Sequence, residues 1–273
     1  MNAKESIRAG KLKDARDALT KTLKGSPADA SSRTLLLQVL MFYGEWEKAE
    51  RHLDVLAAQS PDALQWAAAV KQILEAEKER HKVFGRLENT SFLPEPPPYI
   101  EAYRAAVDHV ARGDVEAAQT MFHQVFEQRP PVAGTADGAP FEGFVDTDAV
   151  LTCFMEAFVY GRYVWLPIDA IRQVSVSRPE NLLDLLYASA EVVTWEGLNI
   201  NCRLPVRYPG SSNGRDDQVK MGRMTEWVPL GGPFSKGVGQ HVYAAGDRDI
   251  PILEIEELVF QFPKDGAQVT ADD

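Results

Sequence analysis

Gly210-Ser211-Ser212-Asn213-Gly214 satisfies G-x-S-x-G, the turn that lifts a nucleophilic serine above the sheet of an α/β-hydrolase. His241 follows at a distance that allows it to serve as a base, so Ser212 and His241 spell out an esterase-like acyl transfer. Such an elbow needs a buried strand before it and an amphipathic helix after it. Here Pro209 precedes it and Arg215-Asp216-Asp217 follows, so the cluster reads better as loop material. Gly237-Val238-Gly239 lacks the third glycine of a dinucleotide fingerprint and reads as a tight turn. Asp146-x-Asp148, Asp216-Asp217 and Asp247-x-Asp249 could attract a hard cation, but without an EF-hand's spacing they read as caps or solvated loops. The five histidines (His52, His81, His109, His123, His241) show no zinc spacing with one another or with Cys153 and Cys202. No catalytic residue, metal or cofactor is therefore assigned from these motifs, and the chain is expected not to be an enzyme.

The elements behind these residues follow from a repeat. Gly10, Ala15 and Pro27 recur 34 residues later as Gly44, Ala49 and Pro61, and again as Gly113, Ala118 and Pro130. A 34-residue period with small residues and a closing proline is the signature of tetratricopeptide (TPR) helical hairpins. The glycine permits the sharp turn between two helices, the alanine sits where they cross closely, and the proline ends the second. The spacing predicts helices over Lys4–Ala9, Lys11–Lys24, Ser32–Tyr43, Trp46–Gln59, Leu64–Phe84, Tyr99–Arg112 and Val115–Gln128. Ser32–Tyr43 is apolar nearly all round and should be covered on both sides, whereas the charge-dense Glu75–Lys82 should be an exposed continuation of its helix. Pro94-Glu95-Pro96-Pro97-Pro98 reads as a semi-rigid spacer.

After Phe141 the hydrophobic period shifts from 3.6 to 2. Hairpins are expected at 157–166, turning at Gly161-Arg162, and at 192–206, where Ile200, Cys202, Leu204 and Val206 alternate with polar residues. Glu180–Tyr187 reads as a short helix, and Trp227-Val228 and Ile252–Val259 as further strands. The expected class is α+β multidomain: a TPR-like α-α superhelix over 1–131, then a smaller, mostly antiparallel sheet or open barrel over 140–263, and a polar tail over 264–273.

Composition limits the partners. The net charge is −11, but residues 1–90 carry +2 and residues 91–273 carry −13. That acidic excess argues against nucleic acid and favours a basic or neutral apolar docking segment. Two cysteines, a polar start and no apolar run near the ~20 residues of a membrane span point to a soluble cytoplasmic protein. A helical scaffold without an active site suggests a groove for a partner helix, with Tyr43, Trp46, Trp66 and Tyr103 as its aromatic contacts.

Four strings make the second half distinctive: Gly161-Arg162-Tyr163-x-Trp165-x-Pro167, Arg207-Tyr208-Pro209-Gly210-Ser211, Arg223-x-Thr225-Glu226-Trp227 and Gly237-Val238-Gly239-Gln240. With Leu36-x-x-x-Leu40 and Gly44-x-Trp46-x-x-Ala49 upstream, the chain resembles the ImpE family of SciE-type virulence proteins from about Ile7 to Phe260. It departs at Leu183, Tyr187 and His241, where the family pattern has Arg, Trp and Arg. The resemblance implies a non-enzymatic accessory protein of type VI secretion that binds the small subunit of the contractile sheath. By the same resemblance it assists the ClpV ATPase in recycling that sheath. It gives no role to the motif residues Arg162, Tyr163, Trp165, Arg207, Tyr208, Arg223, Glu226, Trp227 and Gln240.

Overall fold

A computed structural model describes residues 2–59, 63–84 and 89–262. Pro61 and the polar tail over 264–273 lie outside the described residues. Helices α1 (Ala3–Arg8), α2 (Leu12–Gly25), α3 (Ala30–Phe42), α4 (Trp46–Gln59) and α5 (Leu64–Val83) pack each against the next. The repeated alanines do what their size suggests: Ala15, Ala49 and Ala118 are all fully buried. α3 is covered all round from Leu36 to Phe42. After a short strand β1 (Ser91–Phe92), a third hairpin follows as α6 (Ile100–Arg112) and α7 (Val115–Gln128). No helix among the described residues is long and apolar enough to cross a membrane.

The remaining strands are β2 (Ala133–Ala136), β3 (Ala139–Glu142), β4 (Phe144–Asp146), β5 (Phe154–Val159), β6 (Arg162–Pro167), β7 (Ile171–Val176), β8 (Tyr187–Thr194), β9 (Asn199–Pro205), β10 (Thr225–Gly231), β11 (Phe234–Gly239), β12 (Val242–Ala245), β13 (Arg248–Pro251) and β14 (Glu257–Phe260). Nine of them form one open sheet in the order β1-β6-β5-β9-β8-β7-β14-β2-β3. Its pairs are antiparallel except β1 with β6, whose strand lies just before the proline-rich stretch. β13-β12-β4 and the hairpin β10-β11 make two smaller sheets. The architecture is α+β, but the main sheet is larger than the small one expected. The β5–β6 turn falls at Tyr160-Gly161, one residue earlier than read, with φ of 49° and 81° as a tight hairpin turn requires. No helix forms over 180–187; Asp184 instead accepts from the amides of Glu180 and Asn181, folding a series of turns that ends where β8 begins. A short helix α8 (Asp217–Lys220) lies in the loop before β10.

Alternation along β5 and β6 divides the core. Phe154, Phe158, Tyr163 and Trp165 face the helices and join Leu37, Phe42, Leu74 and Tyr103 in one apolar cluster. Met155, Ala157, Val164 and Leu166 face the other way, packing with Val174, Val192, Leu204 and Leu258. Both strands are thus covered on both faces, which explains their nearly continuous apolar runs. Helices and sheet share one core across the 131–140 stretch. The charged segment of α5 lies at that seam: Ala76, Glu77 and Arg80 are buried, so Glu75–Lys82 is not an exposed continuation. A run of charges on a helix looks solvated until the partner carboxylate that buries it is known.

The hairpin glycines give a graded test. Gly44 and Gly113 both have φ near +70°, but a Cβ on Gly44 would stand 2.7 Å from the Ser212 hydroxyl, whereas one on Gly113 meets nothing within 4 Å. Gly113→Ala should cost only the left-handed backbone penalty of about 1 kcal/mol, and Gly44→Ala about 2–3 kcal/mol because Ser212 must also move. Denaturant melts of the two variants check the order; equal losses would show that the contact at Ser212 is slack.

Candidate functional site

β5 alternation places Glu156 between Phe154 and Phe158 on the helix-facing side, and Arg80 comes from the last turns of α5 to meet it. The guanidinium grips the carboxylate with two nitrogens, Nε donating to Oε1 at 2.8 Å and Nη2 to Oε2. His241, 1 % exposed at the start of the segment entering β12, sits between two carboxylates: Nδ1 is 2.8 Å from Asp146 and Nε2 is 3.0 Å from Glu156. Tyr163 donates its hydroxyl to Glu156 and receives the Trp165 indole N–H. Tyr208 donates to Asp146 at 2.8 Å and packs against His241 with ring centroids 4.0 Å apart and the planes tilted by 40°. Two buried cations, Arg80 and His241, thereby sit among the buried carboxylates of Glu156 and Asp146, and Glu77 adds a third with Oε1 3.4 Å from Arg80 Nη1. Glu79 adds a further tie from α5 by accepting the Tyr163 amide at 2.9 Å.

Burial opposes every charge in this cluster, and pairing overcomes it. For Glu156 burial pushes the carboxyl up, but Arg80 and the donors from His241 outweigh it and hold it at about 2. For His241 burial pushes the ring down, while Asp146 and Glu156 lift it to about 9. The histidine is therefore an imidazolium donating through both nitrogens. Asp148, pushed up to about 6 by burial and by the charge of Asp146, accepts from the amides of Val150 and Gly237.

The Ser212–His241 reading fails on this geometry. His241 has neither ring nitrogen free to take a proton, and Ser212 lies on a 3-10 turn against Gly44. The neighbouring Ser211 is buried and donates to the Tyr208 carbonyl. Asp146 and Asp148, expected as caps or solvated loop residues, are buried, and each accepts a loop amide, from Asp148 and Val150. Asp216 caps α8 and Asp217 accepts the Lys13 amide. Among the described residues no three His, Cys, Asp or Glu side chains converge as metal ligands.

The motif residues fall into place as ties between helices and sheet. Arg207, fully buried without a carboxylate of its own, donates to the carbonyls of Phe42 at 3.0 Å and Met41 at 3.3 Å, the last turn of α3. Burial pulls its pKa down to about 10, which leaves it charged on the negative end of that helix. Arg223 does the same to α1, donating to Ile7 and Arg8 at 3.1 Å each. Ile7 and Met41, like Arg8 and Phe42, are 34 residues apart. The segment 207–223 therefore docks on two successive repeats with the repeat's own period. Gln240 links Gly222 to the Leu253 amide, and Arg162 reaches Ser91 on β1. Gly237 is needed because the Tyr208 ring lies 2.3 Å from where its Cβ would be. Glu226, Trp227 and Val228 are exposed on β10, although the Trp227 ring keeps an edge contact with Tyr208, centroids 5.8 Å apart.

Of the aromatics expected to line a groove, Tyr103 is fully buried, its hydroxyl donating to Val150 and its ring against Phe154, so it offers no surface. Tyr43, Trp46 and Trp66 are half-buried, and the Tyr43 ring lies under the Arg16 guanidinium. All four pack within or against the same apolar core. The buried network escaped the sequence reading because its members are spread from Arg80 to His241. The only local signal was a lone glutamate in an apolar strand, which a buried partner must explain.

The network makes stability depend on pH. The Glu156 contribution is complete above its ordinary value and is lost as pH falls through about 2. That of His241 is complete below its ordinary 6.5 and is lost as pH rises through about 9. Melting of the native chain should therefore weaken by roughly 3 kcal/mol between pH 6.5 and 9. His241→Gln, though less stable throughout, should flatten that limb; an unchanged slope in the variant would assign it to another group.

Comparison with known proteins agrees with this layout. The family model described as ImpE protein matches residues 138–259, and a tetratricopeptide-repeat model matches residues 6–73. The type VI secretion system accessory component TagJ of Pseudomonas aeruginosa is 33% identical over 261 residues, which is 96% of this chain and 92% of the relative. The crystal structure of protein VPA1032 from Vibrio parahaemolyticus has the same fold, with a TM-score of 0.79 over 95% of this chain and 97% of that one at 22% identity. Helical repeats in front, the motif-bearing sheet behind and a relative matched over 92% of its own length together place the chain in the ImpE family.

Proposed function

We propose that this protein is a non-enzymatic accessory component of a type VI secretion apparatus. It binds a helix of the contractile sheath's small subunit and so assists the ClpV ATPase in recycling that sheath. The observation that carries the reading is similarity to the TagJ accessory component across 96% of the chain, with the repeat hairpins and the ImpE strings both inside the matched span. The chemistry points the same way: the one serine–histidine pair suggested by a motif is spent on packing, and the buried charges balance one another instead of facing a substrate. The arginine caps, Arg207 buried and Arg223 exposed, fasten the helical hairpins to the sheet, which suits a surface that must keep its shape while a partner docks. On this reading the half-buried Tyr43, Trp46 and Trp66 are the aromatic contacts.

Calorimetric titration of the full chain with the purified sheath small subunit tests it. A saturable interaction with a dissociation constant on the order of micromolar is expected, as suits a short helical face. Deleting the contacting helix from the subunit should remove the heat, and Trp66→Ala should weaken binding severalfold. Absence of saturable binding by the intact proteins would refute the reading.

A further inference from the structure

The faces that α3 and α5 would offer to a partner are covered by this chain's own sheet, through Arg207 on α3 and Arg80 on α5. A different opening remains, between α2, α3 and α4, where a cavity of about 400 Å³ meets the surface. Its floor is apolar: Leu36 and Leu40 are buried beneath it, and Leu23 is half-buried at its side. Its rim is basic. Lys24 and Arg51 are exposed there, and Arg33 donates to Nδ1 of His52 at 3.1 Å. Burial and the charges of Arg33 and Arg51 push the His52 pKa below its ordinary value, the mark of a positive local field. Arg33 Nε is buried without a hydrogen-bond partner. Arg16 and Lys48, also on the rim, are matched by Glu45, but among the described residues no carboxylate lines the cavity itself. In a chain of net charge −11 this is a local reversal of sign.

We propose that this cavity docks an acidic amphipathic helix of a partner protein, which seats an apolar side chain on Leu23, Leu36 and Leu40 and sets carboxylates against Lys24, Arg33 and Arg51. The inference rests on the accessory-protein reading above and adds a surface apart from Tyr43, Trp46 and Trp66, none of which lines the cavity, with the chemistry of the segment it takes. Apolar residues at i and i+4 with glutamates one step off that stripe would meet the floor and the rim together. A nucleic acid fits less well, because the −13 carried by residues 91–273 repels its backbone and the floor is aliphatic where bases would want rings to stack on.

The test uses the full chain and two synthetic amphipathic helices of about four turns with one leucine face, flanked in one by glutamates and in the other by lysines. The glutamate peptide should bind at least tenfold tighter, lose affinity as salt is raised, and shift the NMR signals of Leu23, Leu36, Leu40 and His52. The exposed double substitution Lys24→Glu/Arg51→Glu should weaken it about tenfold with an unchanged thermal melt. Equal affinity for the two peptides, shifts centred elsewhere, no binding, or preference for a single-stranded RNA oligonucleotide would each overturn the assignment. These probes do not involve the sheath subunit. A subunit that binds the Lys24→Glu/Arg51→Glu chain as well as the native one therefore rejects this groove while leaving the accessory role standing.

Discussion

The buried grip of Arg80 on Glu156 is the contact on which the rest of this molecule depends. Either group alone would be untenable there, because an ion stripped of water and left unpaired costs several kcal/mol. Paired, they join the last turns of α5 to β5, the third strand of the nine-stranded sheet. Their remaining valences recruit the neighbours: Glu156 takes donors from His241 and Tyr163, while Arg80 also reaches the Arg207 carbonyl at 2.7 Å. The position of His241 follows, since a cation is required between Glu156 and Asp146. The His241 imidazolium supplies that charge.

A second constraint is geometric. Helical hairpins that repeat every 34 residues present their carbonyl ends at regular intervals, and Arg207 and Arg223 occupy two successive ones. Gly10 and Gly44 lie beside those ends, against Gln218 and Ser212 of the same segment. The third hairpin is engaged differently, with Val115 packed against Gly231 and Gly232 in the β10–β11 turn. The β-rich half thus reads the repeat as a ruler. In doing so it covers surfaces that an isolated array of such hairpins would leave open for a partner.

Much of this was legible in the sequence wherever the signal was periodic. Gly44 and Ala49 announced their turn and crossing because every repeat must solve the same packing problem with the same small residues. The alternation of Ile200, Cys202 and Leu204 announced β9 for a similar reason. What stayed hidden was pairing between distant residues. Glu77 and Arg80 looked solvated because nothing near them in the chain reveals Glu156, and Tyr103 looked available because its burial depends on Phe154. Gly210–Gly214 and His241 imitated a catalytic pair because glycine, serine and histidine serve tight packing as readily as chemistry. The tyrosine, arginine and glycine strings of the second half were distinctive for what they touch: Tyr208 against Gly237, and Arg207 on α3.

Native-state hydrogen exchange on the intact chain and on Arg207→Met shows whether helices and sheet are fastened into one unit at this buried seam. If they are, the amides of Val39–Phe42 in α3 and those of β5 and β9 open with the same free energy, and the substitution lowers both together. If the α3 amides lose protection in Arg207→Met while β5 and β9 keep theirs, the seam does not bind the two halves and the account is wrong.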